Sequence, residues 1–138
     1  MASSRARTMS IFYDILDNIC AQSKPGNHIL SKAIDYILEN YSDASLSNKV
    51  LAAQAGISEV YFRKLFKENF DITPKQYVLD FRIKKACKLL LESQYNVSEI
   101  SEKCGFSSVY HFCRAFKDIT SHTPTEYAKS NKSYNKYM

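Results

Sequence analysis

Two short stretches of the chain place cationic side chains at the spacing of a single helix face. Arg63, Lys64 and Lys67 form the first set, and Arg114 and Lys117 form the second. Residues three or four apart lie on the same side of a helix. A guanidinium can donate to two acceptors at once, whereas an ammonium binds an anion as a point charge. Both sets therefore suit a polyanionic partner, and a solvated helix face is the alternative for either set taken alone.

The surroundings of the two sets form an internal repeat. The tetrapeptide Ala55-Gly56-Ile57-Ser58 recurs as Cys104-Gly105-Phe106-Ser107 at an offset of 49 residues. Further along, at an offset of 50 residues, the repeated residues are Phe62, Phe66-Lys67, Thr73-Pro74 and Tyr77, matched by Phe112, Phe116-Lys117, Thr123-Pro124 and Tyr127. The second copy therefore holds one extra residue within 107–110. This pattern indicates one supersecondary unit present twice, and it favours a functional role for the cations.

Each unit begins with a predicted helix that ends at a glycine. Ser47 is suited to cap the first of these helices, and Asn96 with Glu99 three residues later forms a capping box for the second. Gly56 and Gly105 can adopt the positive φ that ends a helix. A short turn follows each glycine, and a serine suited to cap the next helix comes directly after it. This order is typical of a helix-turn-helix.

The second helix of each unit carries the cations on its outer face. Ser58 and Ser107 are suited to cap these helices, which we expect over 58–70 and 107–119. The residues predicted to face inward are Tyr61, Phe62, Leu65, Phe66 and Phe70 in the first helix, and Phe112, Ala115 and Phe116 in the second.

The remaining elements are also helical. Thr73 and Pro74 begin the longest predicted helix, which continues to Leu91 and would span about 28 Å. Amphipathic spacing predicts further helices over 9–23, over 29–41 and from Thr123 past Tyr127. We therefore expect an all-α protein with about seven helices and an additional N-terminal linker helix. Two helix-turn-helix subdomains would be joined by the long central helix.

The expected domain boundaries follow from these elements. Residues 1–28 are interpreted as a linker or tag remnant, and residues 131–138, rich in Ser, Asn, Lys and Tyr, as a disordered tail. Between them lies one twin helix-turn-helix domain over 29–130, made of a first unit (29–72), a connecting helix (73–91) and a second unit (95–130).

Composition excludes several other classes of protein. The 138 residues are 45% apolar, which suits one ordinary globular domain or two small ones. The longest unbroken apolar run, 50–53, is far shorter than the ~20 residues of a membrane-spanning helix. The formal net charge is +5, but residues 29–130 hold 14 basic and 12 acidic side chains. The placement of charge, and not its total, therefore carries any argument about nucleic acid.

Catalytic and metal-binding patterns are missing from the sequence. The four cysteines, Cys20, Cys87, Cys104 and Cys113, show no C-x-x-C spacing and follow no signal peptide, which favours reduced thiols in a cytoplasmic protein. The histidines show no metal-ligand spacing, and there is no glycine-rich phosphate loop or nucleophile motif. We expect no enzyme activity, no cofactor and no metal.

The outer faces suggest specific roles in reading DNA. Arg63 and Arg114 suit bidentate contact with guanine, and the lysines suit phosphate. Val60 and Val109 could touch thymine methyl groups, while His111 is better explained as a half-buried structural residue than as a DNA contact. The full set of candidate contact residues is Ser58, Glu59, Val60, Arg63, Lys64, Lys67, Ser107, Ser108, Val109, Tyr110, His111, Cys113, Arg114 and Lys117.

Taken in order, these motifs resemble the twin helix-turn-helix DNA-binding domain of AraC/XylS-type transcription regulators. The first unit matches through Leu51-Ala52-x-x-Ala55-Gly56-Ile57-Ser58-x-x-Tyr61-Phe62-x-Lys64-x-Phe66-Lys67, and the connecting helix through Arg82-x-x-x-Ala86-x-x-Leu89-Leu90. The second unit matches through Ile100-Ser101-x-x-Cys104-Gly105-Phe106-Ser107-Ser108-x-x-x-Phe112-x-Arg114-x-Phe116-Lys117 and Thr123-Pro124-x-x-Tyr127. The chain departs from the family pattern at Asp71 and Ser121, where Gly is frequent, at Ser101, where Ala is usual, and at Lys64, where Arg is usual.

The resemblance implies a bilobal domain with two homeodomain-like subdomains, which inserts 58–70 and 107–119 into neighbouring major grooves of duplex DNA and activates transcription. It matches Val60, Arg63 and Lys64 in the first unit, and Val109, Tyr110, His111 and Arg114 in the second, to family residues near bases and backbone. RNA polymerase is a further candidate partner. An effector ligand would bind only to a separate N-terminal domain that this chain does not include.

Two alternatives remain at this stage. The chain could be an α-helical module that binds an acidic protein, or an RNA-binding protein. The RNA hypothesis is weakened because Tyr110 is the one evident aromatic side chain for base stacking. A steep fall of affinity with salt, together with preference for particular duplexes, would favour DNA over the acidic protein.

Overall fold

The computed structural model describes residues 27–92 and 94–136, with side chains described for 28–92 and 94–130. These residues form seven helices and no strand. The helices are α1 (Asn27–Asn40), α2 (Asn48–Ala55), α3 (Glu59–Phe70), α4 (Pro74–Glu92), α5 (Val97–Lys103), α6 (Val109–Thr120) and α7 (Pro124–Lys136). The all-α prediction is confirmed for this part of the chain, and the helix predicted over 9–23 lies outside it.

The first unit has the predicted caps. The hydroxyl of Ser47 accepts a hydrogen bond from the backbone N–H of Val50, and α2 ends at Gly56, whose φ is 73°. The N–H groups of Gly56 and Ile57 then donate to the carbonyls of Ala53 and Ala52, at 3.1 Å each. These two bonds form a Schellman motif.

The second unit reproduces this geometry with one residue more in its turn. Asn96 and Glu99 form the predicted capping box, and Gly105 and Phe106 donate to Glu102 and Ser101 at 3.1 Å each, the same Schellman pair as in the first unit. Gly105 has a φ of 86°.

Ser108, and not Ser107, caps the following helix. Ser108 accepts from the N–H of His111 at 3.0 Å, so the prediction that Ser107 begins the helix is wrong. Ser107 is the inserted residue, and it occupies the turn.

The central helix α4 belongs to both halves of the molecule. It begins as predicted, with the Thr73 hydroxyl accepting from the N–H of Gln76 at 3.1 Å and Pro74 at the first helical position. Its first half contributes Tyr77, Val78 and Phe81 to the core of the first unit. Its second half contributes Ile83, Ala86, Cys87 and Leu90 to the core of the second unit. One continuous helix therefore passes from one core into the other.

The aromatic packing shows that the sequence repeat is a structural repeat. In the first unit, the Phe62 and Phe66 rings lie 5.7 Å apart and the Phe66 and Tyr77 rings 5.3 Å apart. In the second unit the corresponding separations are 5.7 Å for Phe112 and Phe116 and 5.5 Å for Phe116 and Tyr127. Because the cores match, the outer faces of α3 and α6 carry equivalent positions.

Helices α3 and α6 both end in a left-handed residue that is not glycine. Asp71 and Ser121 have φ of 62° and 69°, and each donates its N–H to the carbonyl of Lys67 or Lys117 at 2.9 Å. Such a conformation is strained for a residue with a side chain, and Asp tolerates it better than most. The two departures from the family pattern therefore preserve the helix ends.

The final helix is longer than predicted. Thr123 and Glu126 form a reciprocal pair of hydrogen bonds at its start, of 3.1 and 3.3 Å, and α7 continues to Lys136. The sequence predicted a disordered tail from residue 131. The physical reason for the difference is that neither Gly nor Pro follows Pro124, so nothing interrupts a helix that is well capped. None of the described helices combines the length and apolarity needed to cross a membrane.

Candidate nucleic-acid interface

The outer faces of α3 and α6 are uncovered by the rest of the described protein. The cations on these faces are all exposed, and they are Arg63, Lys64, Lys67, Arg114 and Lys117. Beside them, Val60 and Tyr110 are 70% and 74% exposed. These two side chains add apolar contact area to cationic faces that the described protein leaves open.

The one-residue insertion changes which residues are equivalent. Since Ser108 caps α6, Val109 corresponds to Glu59, and Tyr110 corresponds to Val60. The sequence had placed Val60 and Val109 in the same role, and this pairing is corrected: Val109 is only 39% exposed. By the same shift Arg114 corresponds to Lys64, and Cys113 corresponds to Arg63. Each unit thus carries its arginine at a different place on the helix, so the two helices present different surfaces.

Two side chains differ from the sequence prediction in how exposed they are. Tyr61, expected in the core, is 47% exposed, because successive helical residues differ by about 100° and the fully buried Phe62 takes the inward direction. Its counterpart His111 is also exposed, with its ring edge-on to Phe106 at 5.5 Å. Cys113, expected outside, is half-buried.

The buried thiols are remote from reactive chemistry. Cys87 and Cys104 lie in the core of the second unit, and burial raises their thiol pKa values to about 11 and about 12. Thiols of this kind stay protonated at neutral pH and are poor nucleophiles.

A cationic groove runs beside α3, and we call it the α3 groove. It has a volume of about 590 Å³, and its lining residues are Asn48, Val60, Arg63, Lys64, Lys67, Thr73, Pro74 and Lys75. Four of these side chains are cations and none is a carboxylate. The start of α4 also lies here, so the positive end of a nineteen-residue helix adds to the field. The groove is suited to hold phosphate oxygens.

A second groove lies between the two units, and we call it the central groove. It has a volume of about 450 Å³, and its lining includes Glu59 from the first turn of α3, His111 from the first turn of α6, and Lys49, Lys75 and Arg82. Because one cavity touches the first turns of both helices, α3 and α6 begin on the same side of the molecule.

The groove residues that the sequence did not mark as candidates include Asn48, Lys49 and Lys75. Lys49 and Lys75 lie in the first turns of α2 and α4, where the helix dipole disfavours a cation. A local conflict of this kind marks a candidate functional position. That conflict was the available signal, and no motif in the sequence included it.

The comparisons with known proteins agree with this geometry. A family model described as a helix-turn-helix domain matches residues 51–130, more than half of the chain. A solved transcriptional regulator from Chromobacterium violaceum, described by its AraC-type DNA-binding domain, superimposes with a TM-score of 0.69 at 28% identity, over 75% of this chain and 92% of that one. The chain belongs to the AraC-type helix-turn-helix family.

Other proteins described as transcription regulators or factors are similar over the same region. The probable transcriptional regulator LumQ of Photobacterium leiognathi is 36% identical over 95 residues, which are 66% of this chain and 38% of LumQ. The DNA-binding domain of AdpA, solved in complex with a target DNA, has a TM-score of 0.72 at 26% identity and covers 76% of this chain and 94% of its own. The chain therefore spans well under half the length of LumQ and nearly the whole of the AdpA domain.

Proposed function

We propose that this AraC-type chain binds double-stranded DNA in a sequence-specific manner, with α3 and α6 in successive major grooves. The observation that carries the proposal is the central groove, since the first turns of both helices meet one cavity while their cationic faces stay open. The AdpA domain, which has the same fold, was solved with target DNA. An α-helix fits the major groove, and the N-terminal part of a recognition helix contacts base edges.

The residues divide into two roles on this proposal. Arg63 and Arg114 read guanine, while Val60 and Tyr110, the exposed apolar side chains, contact bases or the sugar-phosphate edge. The lysines of α3 and α6, with Lys75 at the start of α4, neutralise phosphates. The α3 groove supports the second role, because Lys64, Lys67 and Lys75 line it together.

The proposal extends to the whole protein in coarser terms. The chain acts as a non-catalytic transcription regulator in the cytoplasm, as part of a longer protein in which a separate segment senses an effector. Activation through contact with RNA polymerase is the direction of regulation we favour. LumQ supports this proposal for the whole protein, because it is named a probable transcriptional regulator and is much longer than the region it shares with this chain.

The main competing function is recognition of an acidic protein. The apolar Val60 and Tyr110 lie beside the cations on both faces, and an acidic helix would also be attracted to such a surface. Counterion release separates the two hypotheses. A protein that neutralises several phosphates loses affinity linearly with log salt, and it prefers some duplexes over others.

Selection of bound duplexes from a random pool tests the proposed function. We expect enriched sequences with two short boxes about one helical turn, or 10–10.5 base pairs, apart. The doubly substituted R63A/R114A chain should lose the enrichment, whereas K88A, a change at an exposed lysine that lines neither groove, should keep it. Recovery of unrelated sequences by the unsubstituted chain would contradict sequence-specific binding.

A further inference from the structure

The loop between α1 and α2 is bound by the middle of the central helix. The Nε of Arg82 donates to the carbonyl of Tyr41 at 2.9 Å, and Nη2 donates to the carbonyl of Asp43, also at 2.9 Å. The two partners are 41 and 39 residues away in sequence. Only the planar fork of an arginine reaches two carbonyls in this way.

Aromatic and cation–π contacts from Phe81 and Lys85, the neighbours of Arg82 on α4, secure the same loop. The Tyr41 ring stands edge-on to Phe81, with centroids 5.3 Å apart. The ammonium of Lys85 lies 5.8 Å from the Tyr41 centroid and 5.3 Å from that of Phe81, within cation–π range. The loop is also stiff in itself, because one carboxylate oxygen of Asp43 accepts from both the N–H and the hydroxyl of Ser45, at 2.9 and 2.7 Å.

The turn of the second unit packs against the same loop, beside Arg82. A Cβ placed on Gly105 would overlap the carbonyl oxygen of Tyr41, and it would lie 3.1 Å from both Arg82 Nε and the backbone carbon of Ser42. Gly105 is buried, with a φ of 86°. The corresponding Gly56 has the same left-handed conformation but meets no atom within 4 Å. The close approach is therefore particular to the second unit.

We propose that Tyr41, Ser42, Asp43, Arg82 and Gly105 form an inter-unit joint that sets the orientation of α6 relative to α3. A single connecting helix, although it packs into both cores, leaves the two units the freedom to move as the helix itself bends and twists between them. The joint is a second connection, made through the first unit's loop and the second unit's turn, and two connections remove that freedom. Arg82 and Gly105 are positioning residues in this proposal, since neither reads a base.

The functional consequence rests on the proposed function. Two modules on a flexible link tolerate changes in the spacing of their sites, whereas two modules on a rigid link bind tightly only at the matching geometry. The joint should therefore make DNA binding sensitive to the number of base pairs between the two boxes.

Residual dipolar couplings of the backbone amides test the joint without DNA. In the unsubstituted chain, the couplings of the first unit and of the second unit should fit one alignment tensor. R82M removes the fork and keeps an apolar stem, and G105A introduces the overlap; in each variant the two units should require different tensors. G56A is the matched control, because it adds the same left-handed strain without the contact, and it should keep one tensor.

A spacing series on the selected duplex tests the consequence. Inserting one base pair between the boxes rotates them by about 35°, and we expect it to weaken binding of the unsubstituted chain and of G56A about tenfold or more. For R82M and G105A the same insertion should weaken binding about threefold or less. Circular dichroism and thermal melting establish that each variant is folded, and R82K, which keeps the charge without the fork, replaces R82M if that variant unfolds.

The outcomes separate the two proposals. One shared tensor in R82M and G105A overturns the joint, whatever the DNA results. An undiminished spacing penalty in those variants likewise overturns its role in DNA binding. Failure of the unsubstituted chain to enrich any duplex overturns the proposed function, while the tensors still decide the joint.

Discussion

Arg114 and Lys64 occupy the same place in the two units and differ in the chemistry that they offer. The shift at Ser108 aligns them, and both are exposed. A guanidinium can bond O6 and N7 of guanine together, whereas an ammonium lacks that planar match. The second unit therefore has the stronger means of discriminating a base at this position.

We predict that R114A weakens binding to the selected duplex by about 1–3 kcal/mol and relaxes preference at one base pair. R114K should keep most of the affinity for mixed duplexes but not the preference, because the charge remains while the fork is lost. Fluorescence anisotropy on duplexes substituted one base pair at a time measures both quantities. An equal loss on every duplex would make Arg114 a phosphate contact instead.

The buried carboxyl group of Asp80 lowers the stability of the folded protein when it is ionised. It is fully buried; Oδ1 accepts from Gln76 Nε2 at 2.7 Å, and Oδ2 has no hydrogen-bond partner among the described residues. Burial raises the pKa of Asp80 to about 6, against a lowering by the Gln76 hydrogen bond. Since the folded pKa lies above the unfolded value near 4, the stabilising contribution is complete below pH 4 and is lost as pH rises through 6.

We predict that D80N stabilises the protein at pH 7.5 by about 1–3 kcal/mol, because the neutral amide avoids the buried charge. The gain should shrink toward zero near pH 4, where the native carboxyl is protonated. Urea unfolding at several pH values measures it, and E68Q, which removes a carboxylate from the exposed surface of α3, is the control for the loss of one negative charge. A gain that is the same at both pH values would argue against titration of Asp80.

At the scale of elements, the serine pair before α6 shows how a single insertion resets a helix. Ser107 and Ser108 are both exposed, but only Ser108 accepts from a first-turn N–H, that of His111 at 3.0 Å. In the first unit the equivalent bond joins Ser58 to the N–H of Tyr61 at 3.2 Å. Both recognition helices thus begin with the same capping bond.

We predict that S108A destabilises the protein by about 1 kcal/mol, the usual cost of losing a serine cap. S107A should change the free energy of unfolding by less than about 0.5 kcal/mol, because its side chain is on the surface and makes no capping bond. Chemical denaturation of the two variants, analysed in parallel, decides the assignment. The opposite ranking would restore Ser107 as the cap.

At the scale of the whole molecule, folding brings positive side chains together in the α3 groove. Residues 29–130 carry nearly equal numbers of basic and acidic side chains, yet the α3 groove is lined by four cations and no carboxylate. A duplex laid across this face would meet a positive field much stronger than the overall charge suggests.

We predict that K67A weakens binding to all duplexes alike and makes the slope of log affinity against log salt shallower by about one, because one phosphate contact is lost. K88A, which alters the same net charge away from both grooves, should leave the slope unchanged. Titrations at four salt concentrations give the slopes. An unaltered slope in K67A would remove Lys67 from the contact surface.

The sequence alone was enough to establish the duplicated unit, the helical class, the family and most of the caps. These features depend on interactions within one or two helical turns, such as the bonds at Ser47, Thr73 and Asn96. They also depend on the 49–50-residue repeat and on the helical spacing of apolar residues, which are visible in the sequence. Most of the candidate contact residues proved to be on exposed outer faces for the same reason, although their individual contacts with DNA stay predictions.

Tertiary packing decided the rest. Which of two adjacent serines caps α6, how exposed Tyr61 is and how buried Asp80 is all depend on how the side chains pack in each core. The meeting of Arg82 and Gly105 with the loop at Tyr41 joins residues far apart in sequence, and no local pattern encodes it. Long-range contacts of this kind exist only once both cores have formed around the shared central helix, because that packing alone brings the two halves of the chain together.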